Sequence, residues 1–111
     1  MDINIQKNLL IENLKRLSND LDSFYNKELN FRNHCYLRIA YDCTVDNKWD
    51  AIVQKPFIKF ATNSQLNAAT NLLNKYLIDK QQLLFDNEKS LAFRNQIKSK
   101  NSSNSKTLFD L

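Results

Sequence analysis

His34, Arg38 and Asp42 follow one another at intervals of four residues, so on a helix turning about 100° per residue they share one stripe roughly 80° wide. Their types suit the capture of an anion. Arg38 offers a planar, permanently charged fork, His34 exchanges a proton near neutral pH, and Asp42 can orient a neighbour one turn away. Cys35, Tyr36, Leu37, Ile39, Ala40, Tyr41, Cys43 and Val45 fill the rest of this helix, which is therefore expected to be buried. Ionisable groups carried into an interior must pair with one another or face a polar cavity. The stripe reads either as a structural ion-pair network, with Arg38 and Asp42 one turn apart as the pair, or as a binding site. In the second case Arg32, His34, Arg38, Asp42 and Trp49 are the candidate ligand-binding residues, and Asp46, Lys48 and Asp50 are near enough to contribute.

Other constellations are weaker. His34 and Cys35 are adjacent, and adjacent helical residues diverge by about 100°, which argues against a base and nucleophile pair. Cys35 and Cys43 lie eight apart, about 12 Å along one helix, too far for a disulfide; both read as reduced core thiols. One histidine and two cysteines on a single helix do not converge as metal ligands, and no metal or cofactor is expected. The chain contains no glycine, which excludes a phosphate-cradling loop or a dinucleotide fingerprint, both of which need backbone that approaches the ligand without a Cβ. Trp49, Phe57, Phe60, Tyr36 and Tyr41 either line a small-molecule pocket or form core.

Without glycine, and with Pro56 as the single proline, tight hairpins lack their residues, so the chain reads as all-α, a compact bundle of about four helices. Leu10, Leu14, Leu17, Leu21 and Phe24 are spaced four, three, four and three apart, an inward seam for a first helix from about Asn4 to Asn26. The same seam could pair two copies in a homodimer. The second helix, capped by Asn30 or Asn33, runs to about Val45. A short helical piece with Trp49, Ile52 and Val53 on one face ends at Pro56, and Phe57 to Ala61 reads as an irregular apolar strip. Thr62 and Gln65 have capping-box spacing and open a third helix with Leu66, Ala69, Leu73, Tyr76 and Leu77 inward. A break near Asp79 starts a fourth helix from Lys80 to about Ile97, carrying Leu83, Leu84, Leu91 and Phe93; one long bent helix is the alternative.

These elements make residues 1–97 one domain of a 111-residue chain. Residues 98–111 read as a disordered, flexible C-terminal tail, because Lys98 to Lys106 lacks any large apolar side chain; Leu108 to Leu111 forms an apolar knot at its end. Of the formal charge of +4, Met1 to Phe93 contributes twelve Lys and Arg against eleven Asp and Glu, so the excess lies near the C-terminus. A few tail lysines without aromatic interleaving give at most weak, salt-sensitive nucleic-acid contacts, and nucleic acid is not the expected partner. No signal sequence opens the chain and no apolar run approaches the ~20 residues that span a bilayer; a cytoplasmic protein with no membrane partner is expected.

The wording Phe31-Arg32-Asn33-His34-Cys35-Tyr36-Leu37-Arg38-Ile39-Ala40-Tyr41-Asp42, with Lys48-Trp49-Asp50 and Lys55-Pro56-Phe57 after it, resembles small bacterial helical proteins that are sometimes named GNAT-type N-acetyltransferases. The resemblance covers about Phe31 to Phe93 and implies a label alone. A GNAT domain seats coenzyme A on a glycine-containing loop, which this chain lacks, and no catalytic residue is carried over. The expected function is that of a small binding or interaction module for a protein partner or a small anionic ligand. The alternative is a small N-acetyltransferase-like enzyme with His34 as general base and Arg38 as anion clamp.

Overall fold

A computed structural model describes the backbone of residues 3–102 and the side chains of residues 5–95. Among the described residues there are four long helices, α1 (Ile3–Tyr25), α2 (Asn33–Val45), α4 (Asn63–Ile78) and α5 (Lys80–Ser102), with the one-turn helix α3 (Phe57–Phe60) between α2 and α4. A single 3₁₀ turn, Trp49–Ala51, follows α2. No strand is present among the described residues. The Phe57 to Ala61 strip is thus not irregular: Pro56 supplies a fixed φ just ahead of a helical turn, where its missing N–H costs nothing, and Phe57 and Ala61 are buried from its two ends. The helix α5 continues through Ser102, beyond the end expected near Ile97; the remainder of the expected tail, with Leu108 to Leu111, lies outside the described residues.

Helix α2 packs against α1, α4 and α5, and α1 packs on α4. The core is Leu14, Leu17 and Leu21 of α1, Tyr36, Ile39 and Ala40 of α2, Leu66, Ala69, Leu73 and Tyr76 of α4, and Leu83 of α5, ringed by Phe57 and Val53. The α1 seam is filled from within the chain, by α2 and α4. Its last member is not Phe24, which is 61 % exposed, but Tyr25, which is 3 % exposed. The hydroxyl of Tyr25 donates to Tyr76 O at 2.7 Å, a bond that Phe24 could not make, and this selects the tyrosine for the interior.

Boundaries without glycine are made by other means. Asp46 adopts the left-handed conformation at φ 57° after α2, a state that short polar side chains tolerate, and the N–H groups of Asp46 and Asn47 both return to Asp42 O. Thr62 and Gln65 form the expected capping box, Gln65 N donating to Thr62 Oγ1 at 3.0 Å and Thr62 N to Gln65 Oε1 at 2.9 Å. The break falls at Asp79, whose Oδ1 accepts from Gln82 N at 3.1 Å and so caps α5.

Two buried tyrosines make opposite uses of their hydroxyls. Tyr76 donates to Asp86 Oδ2 at 2.6 Å, whereas the Tyr36 hydroxyl is buried with no hydrogen-bond partner. Burial pushes the Tyr36 phenol up to about 12, with the Asp22 carboxylate adding to it. Replacing Tyr36 by Phe removes an unmatched group, and Tyr76→Phe strips a donor from a buried carboxylate. Denaturant unfolding should show Tyr36→Phe neutral or stabilising, and Tyr76→Phe destabilising by about 1–3 kcal/mol.

Candidate functional site

The helix carrying His34, Arg38 and Asp42 forms where the spacing places it, but its stripe grades from solvent to interior. His34 and Arg32 are exposed, Arg38 is half-buried and Asp42 is 0 % exposed. The cause is α5, whose hydrogen bonds to α2 fall on Arg38, Asp42 and Cys43 and do not extend to Arg32 or His34. Asp42 is held from three sides. Arg94 of α5 grips it with Nε to Oδ2 at 2.9 Å and Nη2 to Oδ1 at 3.0 Å. Ser90 Oγ donates to Oδ2 at 2.5 Å, and the backbone N–H of Trp49 donates to Oδ1 at 2.9 Å.

Arg38 does not take the role of direct partner. Its Nη1 donates to Ser90 Oγ at 2.8 Å and its Nη2 to Asn87 Oδ1 at 3.0 Å, so it reaches Asp42 through the serine hydroxyl, and the expected i to i+4 pair is replaced by Arg94. The physical reason is geometry. A guanidinium from a facing helix can approach a carboxylate with both forks, which a residue on the same helix rarely does. Of the five candidate residues, the structure brings Arg38, Asp42 and the Trp49 backbone together and leaves Arg32 and His34 outside the cluster. Asp50 is bound instead by Lys48 at 2.6 Å and Lys55 at 3.4 Å; the hydrogen bond from Lys48 holds its carboxyl below the usual range. Asp46 faces Lys89 at 3.8 Å.

Sequence reasoning missed Asn87, Ser90 and Arg94. With Leu83 and Asp86 they form a helical ladder spaced three and four apart, a legible signal that favours polar residues over the more obvious Leu84, Leu91 and Phe93. Leu91, one of the four apolar residues read on this helix, is 40 % exposed. The buried face of α5 is instead Leu83, Asp86 and Ser90. Asp86 accepts from Tyr76 and, at 2.8 Å, from Gln82 Nε2, and its backbone oxygen lies 3.6 Å from Cys43 Sγ. Burial, then the Asp86 carboxylate, pushes the Cys43 thiol up to about 12, while the Tyr76 phenol is raised by burial and by its bond to Asp86.

Beside this sealed cluster lies an open apolar groove of about 250 Å³ between α1, α2 and the segment around Pro56. Leu14, Lys15, Leu37, Tyr41, Trp49, Pro56, Phe57 and Ile58 line it. Tyr41 and Phe57 stack at 3.8 Å, and the Trp49 ring stands edge-on to both at 5.7 Å. Of the aromatic set read from the sequence, Tyr41, Trp49 and Phe57 meet here. Phe60 is largely exposed, and Tyr36 packs elsewhere, against Tyr25 and Phe31. Burial pushes the Tyr41 phenol up to about 12, keeping it protonated at neutral pH.

No family model matches the chain, and no curated protein or solved structure matches it. Among the described residues no helix is long and apolar enough to cross a membrane, and no three His, Cys, Asp or Glu side chains gather as metal ligands would.

Arg94→Met leaves a fully buried carboxylate without its cation, a change that costs several kcal/mol at closed sites; with the Arg94 side chain 28 % exposed the expected loss is about 2–3 kcal/mol. His34→Ala should stay within about 0.5 kcal/mol, and denaturant titration of both variants measures the contrast. The protonated Cys43 thiol should resist iodoacetamide in the native protein at about pH 8, where an ordinary thiol is partly ionised. Mass mapping of the alkylated peptides, native against unfolded, reads this directly.

Proposed function

We propose that the chain is a small helical binding module and that its recognition site is the Tyr41–Trp49–Phe57 groove rather than the charged stripe of α2. The observation that carries this reading is the groove itself: about 250 Å³ of open space walled by three aromatic rings and by Leu14, Leu37 and Ile58. An apolar cavity of 150 Å³ already accepts benzene, so this one has room for one or two rings, somewhat below the usual span of drug-sized pockets. In the charged stripe, by contrast, Asp42 is fully engaged, accepting four bonds, and both Nη atoms of Arg38 are directed to Ser90 and Asn87.

The transferase alternative draws less from this geometry. His34 is exposed on the first turn of α2, away from both the groove lining and the Asp42 cluster, so base and anion clamp do not converge. A binding role in the cytoplasm requires no such convergence.

Trp49 is the single tryptophan, so its indole N–H gives one resolved resonance in an ¹⁵N spectrum. Titration with the neutral probe 2-naphthalenemethanol should move that resonance saturably, and Ile58→Phe, which fills the groove, should weaken binding about tenfold or more while leaving the melting temperature nearly unchanged. An indole resonance that stays in place up to the solubility of the probe, or binding that Ile58→Phe leaves intact in a folded protein, overturns the reading.

A further inference from the structure

The charges around the groove are one-sided. On the α1 lip, Lys15 lines the groove, and Lys7 reaches across to α3, donating to Lys59 O at 2.6 Å. On the opposite lip, Lys55 and Lys59 flank Pro56, Phe57 and Ile58 in sequence. Asp50 is the only carboxylate between Lys48 and Phe60, and it is already shared by Lys48 and Lys55. Glu12 stands three residues before Lys15, about 60° from it around α1 and about 160° from Leu14, and makes no ion pair with it among the described residues. Among the described residues Lys7, Lys15 and Lys59 enter no ion pair.

An apolar slot with Lys15 in its wall, in no ion pair among the described residues, selects a ligand with an apolar body and an anionic end. We infer that the occupant of the groove is a small aromatic carboxylate of one or two rings, its ring against Tyr41, Trp49 and Phe57 and its carboxylate at Lys15. This rests on the groove being the binding site, as proposed above, and adds the charge of the molecule that enters it. The ring walls supply edge and face contacts for a second aromatic system. The open mouth keeps the carboxylate in water, so the lysine attracts it without having to offset the desolvation of a buried charge.

Three isosteric probes separate the terms: 2-naphthoate, 2-naphthalenemethanol and 2-naphthylmethylammonium, each titrated by isothermal calorimetry into the full chain and into Lys15→Glu. Naphthoate should bind the native protein about three- to tenfold more tightly than the alcohol, the range that one to two exposed ion pairs supply, and the ammonium compound more weakly than either. In Lys15→Glu the order of naphthoate and ammonium should reverse, and the naphthoate advantage in the native protein should shrink with added salt. Equal affinities for alcohol and carboxylate, or a Lys15→Glu protein that keeps the original order, overturn the inference and leave the groove standing as a neutral site. Failure of all three probes to bind removes the groove reading, and this inference with it.

Discussion

A single carboxylate fastens the C-terminal helix to the rest of the molecule. Asp42 sits at zero exposure on α2 and accepts from α5 through Arg94 and Ser90 and from the 3₁₀ turn through the Trp49 amide. A buried anion is tolerated only when its lone pairs are filled, and the two α5 donors that fill them lie more than forty residues away along the chain. Among the described residues Leu83 is the only apolar side chain of α5 in the fully buried core, so over that stretch helix and bundle meet through directional bonds more than through oily surface. Leucine faces can slip past one another at small cost, whereas this contact is satisfied in one rotation of α5 only, which is the register role best attested for buried polar groups.

The second constraint is the absence of glycine. Every reversal must be made by residues bearing a Cβ, and the chain uses short polar side chains where it turns: Asp46 in the left-handed region, Thr62 and Asp79 as caps. The steric cost at Asp46 is confined to one residue and offset by two amides returned to Asp42 O. Asp42 is therefore doubly used, its carbonyl ending α2 and its carboxylate holding both the 3₁₀ turn and α5.

Much of the architecture is legible in the residues. The capping box at Thr62, the break at Asp79, the α1 seam and the buried α2 all follow from periodicity and capping chemistry, because those signals are local. The features that stay hidden are pairwise and distant. Phe24 and Tyr25 are equally plausible seam residues until the Tyr76 carbonyl appears beside one of them. Arg38 looks like the partner of Asp42 because one turn separates them, and only the crossing of α5 reveals Arg94. The inward face of α5 is the sharpest case: hydrophobicity points to Leu84, Leu91 and Phe93, while the ladder Leu83, Asp86, Ser90 and Arg94 is chosen by the partners that α2 and α4 offer it. Of the five candidate site residues His34, Arg38 and Asp42 lie on the helix read from the spacing, and the burial of Arg38 and Asp42 is set by α5, a neighbour that the local pattern does not contain.

Trp49 belongs to both halves of this structure at once. Its amide is bound by Asp42, and through that carboxylate by α5, while its indole forms a wall of the groove. Main chain and ring are joined through the two side-chain torsions of one residue, so a shift of the backbone that carries the Asp42 donor also moves the base of the indole. The fastening of the last helix and the wall of the cavity thus share one residue: a movement of the 3₁₀ turn that draws the Trp49 amide away from Asp42 carries the attachment point of the indole with it, and the only tryptophan of the chain lies where the two meet.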